Sequence, residues 1–151
     1  MRKIGLIGGL SWYSTRTYYD LVNRGVQARV GMQASAPMVI ESLDATSLQR
    51  LSTREDWDRA GQELADSAKR LEAAGATAIL IGANSMHKVY DTVAQAVSVP
   101  ILHIAECVAE AMVRADAGKA ALLGTRNVMI DSFYRQKLIA RDIEPMPPNM
   151  A

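Results

Sequence analysis

Ile4-Gly5-Leu6-Ile7-Gly8-Gly9-Leu10-Ser11 opens on a compact apolar run, Lys3 to Ile7, that stops at a glycine pair. Ser14 to Arg29 then reads as a helix, with Ser11 or Ser14 as its cap and Tyr18, Leu21, Val22 and Val26 near one face. Strand, glycine turn, helix is the signature of a βα unit, and the pattern recurs along the chain. Pro37 precedes a second apolar run, Met38 to Leu43. Asp56 to Ala74 is a helix with Leu64, Ala68 and Leu71 on one face and Gly75 at its end. Ala78 to Ile81 is a third strand and runs into Gly82, after which His87 to Val97 has a helical pattern. Ile101 to His103 is a short strand, Ile104 to Ala115 a helix, Lys119 to Leu123 a fifth apolar run ending at Gly124, and Asn127 to Ala140 a closing helix. Pro145, Pro147 and Pro148 keep the tail out of a helix. The strands are dense in Ile, Leu and Val rather than alternating, so both of their faces are expected to be buried. The fold predicted is α/β: a three-layer α/β/α arrangement with a mainly parallel sheet.

Bulk properties narrow the function classes. The chain has 151 residues, 49% hydrophobic and 22% charged, a globular composition. Its 17 Lys and Arg nearly cancel 16 Asp and Glu, and a net charge of +1 makes no electrostatic case for nucleic acid or an anionic membrane. A single cysteine, Cys107, cannot form an internal disulfide, and it is read as a buried small apolar residue within a helix. The apolar run behind Met1-Arg2-Lys3 is too short for a signal-peptide core or a membrane span, so a cytoplasmic location is expected.

In an open parallel sheet, ligands bind beyond the C-terminal ends of the strands. Three such ends carry glycine and small polar residues: Gly8-Gly9-Leu10-Ser11, Gly82-Ala83-Asn84-Ser85 and Gly124-Thr125-Arg126-Asn127. Each could be an ordinary capped connection. Converging on one sheet edge, they would offer amides and hydroxyls to an anion such as a carboxylate or phosphate. A dinucleotide site is disfavoured, because Gly5-Leu6-Ile7-Gly8-Gly9-Leu10 lacks the G-x-G-x-x-G spacing and no phosphate-binding Gly-Lys-Ser/Thr follows. No metal site is expected from the two histidines, His87 and His103. His103 is read as a core or loop histidine with a satisfied hydrogen bond. His87 is open between a capping role and a ligand contact, and Arg126 between a carboxylate partner and a solvated surface residue.

Three stretches taken together resemble the aspartate/glutamate racemases. They are Ile4 to Trp12 with Ser14-Thr15 and Tyr18-Tyr19; Asn84-Ser85-Met86-His87-Lys88-Val89 with Pro100 to Ala105; and Leu122-Leu123-Gly124-Thr125-Arg126 with Met129 and Phe133-Tyr134-Arg135. The likeness runs in order to about Arg141. It implies a Rossmann-like or flavodoxin-like racemase domain over residues 1–99, and over residues 100–151 the opening part of a second α/β domain, the chain being truncated relative to such proteins. It implies an isomerase without cofactors, which inverts the α-carbon of an amino acid with one cysteine on each face. The first cysteine position corresponds to Gly82; the second belongs to a Gly-Cys-Thr motif that this sequence lacks, and Cys107 matches neither. Tyr13 and Val128 stand where such racemases often carry Glu and Thr.

No catalytic residue is therefore assigned. Ser11, Gly82, Asn84, Ser85, His87 and Thr125 are expected to bind a small amino acid or dicarboxylate. The chain is expected to be inactive or incomplete alone; a non-catalytic carboxylate-binding module is the alternative. Apolar surface left uncovered by the missing second half is expected to drive homo-oligomers.

Overall fold

The computed structural model describes residues 2–48 and 50–146. The chain divides into two compact units, Met1–Ala83 with Val89–Ile101, and Asn84–Lys88 with Leu102–Ala151.

The first unit is built on a sheet of β1 (Ile4–Gly8), β2 (Met38–Ser42), β3 (Ala78–Ile81) and the two-residue β4 (Ile101–Leu102), in the order β2-β1-β3-β4. β1 runs parallel to both neighbours, with Ile4 opposite Met38 on one side and Ala78 on the other. Leu6, Ile7, Ile79 and Ile81 are all fully or nearly fully buried, as strands covered on both faces require. Helices α1 (Trp12–Val30) and α2 (Arg54–Ala73) supply that cover. A Cβ at Gly5 would meet Leu71 of α2, whereas one at Gly8, three residues on, would meet Thr15 of α1. An odd spacing along a strand changes face, so the two helices lie on opposite faces and the three-layer α/β/α architecture is realised.

α2 begins two residues earlier than its apolar periodicity indicates, because Thr53 and Asp56 form a reciprocal capping box. It buries Trp57, Ala60, Leu64, Ala68 and Leu71 at helical spacing and stops before Gly75, whose φ of +86° suits glycine. α1 departs from expectation. None of its residues is fully buried, and Leu21, placed on its inner face by periodicity, is 61% exposed. The inner face instead uses Thr15, Tyr18, Val22 and Val26, all half-buried.

In the second unit, α4 (Ile104–Arg114), α5 (Arg126–Ile130) and α6 (Ser132–Ile139) accompany β5 (Lys119–Ala121) and β6 (Glu144–Met146). Its core comprises Ala105, Ala109, Val128, Tyr134, Leu138 and Ile143. Three expectations are corrected here. β5 does not join the main sheet; it pairs in parallel with β6, which takes in Pro145. A two-stranded pair is all edge, and an edge tolerates a residue without an N–H. Pro147 and Pro148 lie outside the described residues. The single helix expected from Asn127 to Ala140 is interrupted at Asp131, whose extended backbone (ψ 146°) ends α5 and starts α6. Cys107 is exposed, because α4 turns Ala105 and Ala109 inward and Cys107 sits about 200° round from Ala105.

The helix expected from His87 to Val97 is a 3₁₀ turn, Ser85–Val89, followed by the short α3 (Tyr90–Ala94). Among the described residues, no helix is long and apolar enough to cross a membrane.

Candidate functional site

After β1 the chain turns through Gly8 and Gly9. Gly9 has φ +79°, and a Cβ there would stand 2.1 Å from the Leu43 carbonyl oxygen. Only glycine lets the turn pass this close to the backbone after β2. The Leu43 amide in turn donates to the Gly8 carbonyl (3.0 Å). Ser11 is the N-cap of α1: its hydroxyl accepts from the Ser14 amide (3.4 Å) and its carbonyl from the Thr15 amide (3.0 Å). Thr15 closes the loop. Its hydroxyl accepts from the Gly9 amide (2.9 Å) and donates to the Ser11 carbonyl (3.1 Å). Two amides that an anion could have used, those of Gly9 and Ser14, are thus already bound within the loop. The Ser11 hydroxyl is there, half-buried, but it works as a cap. Thr15 was not singled out by sequence; the one signal for it is its place four residues after Ser11, where a hydroxyl reaches back to a carbonyl.

Gly82 ends β3 and is buried. Its amide donates to the Ile7 carbonyl (2.9 Å), and a Cβ would lie 3.0 Å from that oxygen. Any side chain at this position would press on the β1 backbone.

Asn84, Ser85 and His87 fall in the second unit with Thr125. Asn84 is exposed, Ser85 half-buried and His87 only 2% exposed. The His87 amide donates to the Asn84 carbonyl (3.2 Å), which closes the turn. The His87 ring lies 4.9 Å, centroid to centroid, from that of His103, which is 3% exposed. His103 is the N-cap of α4, and its Nδ1 accepts from the Ala105 amide (3.2 Å). It is the histidine with a satisfied hydrogen bond that its sequence context indicates. Lys88 reaches Asp131 at the break between α5 and α6 (3.0 Å).

Thr125 precedes α5 as its N-cap, but its hydroxyl makes no capping bond. The residue is exposed, as is Arg126, so both can meet a ligand from solution. Beneath them Val128 is buried, and a Cβ at Gly124 would come within 3.3 Å of it. The structure therefore keeps Asn84, Ser85, His87 and Thr125 within one compact unit and Ser11 and Gly82 within the other.

Cys107 lies on the exposed side of α4. Partial burial pushes its thiol upward, and the charges of Glu110 and Glu106 push the same way, opposite to what activates a thiolate. Among the described residues no group of three or more His, Cys, Asp and Glu side chains could hold a metal ion.

Comparison with known proteins bears on these loops. The family model described as Asp/Glu/Hydantoin racemase matches residues 7–151. A broad-specificity amino-acid racemase of Bacillus subtilis (strain 168) is 34% identical over 83 residues, 55% of this chain and 36% of that protein. The crystal structure of a candidate Asp/Glu racemase from Yersinia pestis matches with a TM-score of 0.92 and 39% identity, over 99% of this chain and 66% of that one. An aspartate racemase homologue from Pyrococcus horikoshii OT3 matches with a TM-score of 0.88 and 33% identity, over the same shares. The chain thus spans just under two thirds of the length of these structures.

Proposed function

The chain belongs to the Asp/Glu/hydantoin racemase family, and from that premise we propose that it binds a small amino acid or dicarboxylate without racemising it alone. The recognition groups proposed are the exposed Thr125 hydroxyl and the Asn84-Ser85-His87 turn, all within the second unit. The substrate's carboxylate would be met by neutral donors and by Arg126 rather than by a metal.

The observation that carries the reading is Gly82. Inverting an α-carbon needs a base on one face and an acid on the other. Gly82 has no side chain to move a proton, and a Cβ there would stand 3.0 Å from the Ile7 carbonyl oxygen, a tight approach. Cys107 is exposed, with its thiol pushed upward, and does not replace it. The same reading includes self-association through exposed apolar side chains such as Trp12 and Leu21. A monomer in sedimentation at micromolar concentration would remove that part.

The experiment is α-proton exchange in D₂O, followed by NMR, with both enantiomers of aspartate, glutamate and a wider amino-acid panel. Saturable binding with neither exchange nor inversion is the expected result. Inversion by the wild-type chain would overturn it. Gly82→Cys supplies a thiol at the cost of about 1–3 kcal/mol of crowding against Ile7. It is expected to give exchange from one enantiomer without inversion, since one base serves one face.

A further inference from the structure

Two histidines of the second unit are both almost completely buried and lie ring against ring. His103 stands where the two-residue strand β4 gives way to α4, at a position usually filled by Ser, Thr, Asp or Asn. Its Nδ1 accepts the Ala105 amide proton, and its carbonyl accepts from the Glu106 and Cys107 amides (3.0 and 3.1 Å). A nitrogen that accepts an N–H carries no proton of its own, so the neutral ring must carry its proton on Nε2. Turning the ring over would set a carbon against the buried Ala105 amide and leave that donor unpaired. The ring is therefore fixed in both orientation and tautomer by the start of the helix.

His87 meets this fixed ring at 4.9 Å and 56°, within the range of packed aromatic rings. Its own amide closes the Asn84 turn. A short chain of contacts thus runs from the α4 N-terminus through the His103 ring and the His87 ring to the Asn84-Ser85 backbone. A serine or asparagine would cap α4 as well. What neither provides is a rigid ring for His87 to lie against.

We propose that His103 is a positioning residue, which holds His87 and the Asn84–His87 turn in place through its ring while touching no ligand itself. Its effect on ligand affinity rests on the amino-acid-binding reading above; its effect on His87 does not.

Two substitutions separate the ring from the cap. His103→Asn keeps an acceptor for the Ala105 amide and removes the ring. His103→Phe keeps a ring and removes the acceptor. The full 151-residue chain, labelled with ¹⁵N in its histidines, is followed by long-range ¹H–¹⁵N spectra without ligand, and then by titration with the amino acids of the panel. In the wild type, His103 is expected to be protonated on Nε2 and bare on Nδ1. His103→Asn is expected to shift the His87 ring resonances and weaken amino-acid binding about tenfold, with helical circular dichroism unchanged. His103→Phe is expected to leave the His87 resonances close to wild type. A role in capping alone gives the reverse: His87 undisturbed in His103→Asn and altered in His103→Phe. A proton on His103 Nδ1, or His87 resonances unmoved in His103→Asn, overturns the proposal. Should His103→Phe fail to fold, the wild-type tautomer and the His103→Asn spectra still decide it. Should the wild type bind no amino acid, the functional reading fails, while the ligand-free spectra still judge His103.

Discussion

The loops after β1 and after β5 read almost alike, glycine followed by a small hydroxyl residue at a helix start, yet they are opposite in character. In Gly8-Gly9-Leu10-Ser11 the hydroxyls are spent on the loop itself: Ser11 caps α1 and Thr15 binds the Gly9 amide. In Gly124-Thr125-Arg126-Asn127 the Thr125 hydroxyl caps nothing and is exposed. The first loop is therefore a structural joint and the second an open surface. A glycine-hydroxyl motif announces a helix start; whether any donor remains for a ligand depends on which neighbour gets there first.

The sharpest way to break this contrast is Gly9→Ala. A side chain at φ +79° and 2.1 Å from the Leu43 oxygen should cost roughly 3 kcal/mol or more. As a reference, Gly118→Ala, just before β5 and with nothing within 4 Å of its Cβ, should stay within about 0.5 kcal/mol. Urea melts that gave the two equal effects would show that the first loop yields to a side chain and is no rigid joint. Thr15→Val comes next. It leaves the Gly9 amide without its acceptor and should cost about 1–2 kcal/mol in the same melts; no loss would mean that water serves the amide equally well.

A smaller effect is read by pH. The Ser98 hydroxyl, with the Ser98 and Val99 amides, holds the Glu72 carboxyl below its ordinary 4.5. A folded-state value that is depressed means stability present above pH 4.5 and lost as pH falls through the lower folded value. In Glu72→Gln that share of acid sensitivity should vanish, leaving the shares from Asp44, Asp56, Asp66 and Glu106, which are depressed too. Lys137 is the main cause of the lowering at Glu106. Acid titrations of the two proteins that superpose would exclude the clamp. Thr125→Ala should have the least effect on stability, under about 0.5 kcal/mol, while weakening amino-acid binding by calorimetry. Unchanged binding would remove Thr125 from the recognition groups.

Much of this is legible in the sequence alone. Gly75 and the Leu64-Ala68-Leu71 spacing marked α2 to within a few residues, and the apolar runs marked β1 and β3, because each is a local pattern of one element. The partner of β5 was not legible. Lys119 to Leu123 reads as an apolar run like those of the main sheet, but pairing is a choice among distant segments, and it went to a stretch that contains a proline. Thr15 was overlooked because its role depends on a carbonyl and an amide delivered by the turn. Cys107 was placed on the wrong side of α4 for a related reason: residues 104 to 109 are apolar nearly all round, so periodicity could not choose a face.

By itself, then, the order of residues settled the kind of fold, the family, and the want of a thiol at position 82, since these depend on which side chains exist and how they are spaced along the chain. Tertiary structure alone decided that Gly9 must be glycine, that Ser11 and Thr15 serve their own loop, and that His103 lies against His87. Those facts arise where segments far apart in sequence compete for the same few ångströms and the same hydrogen bonds, and no local pattern records who wins.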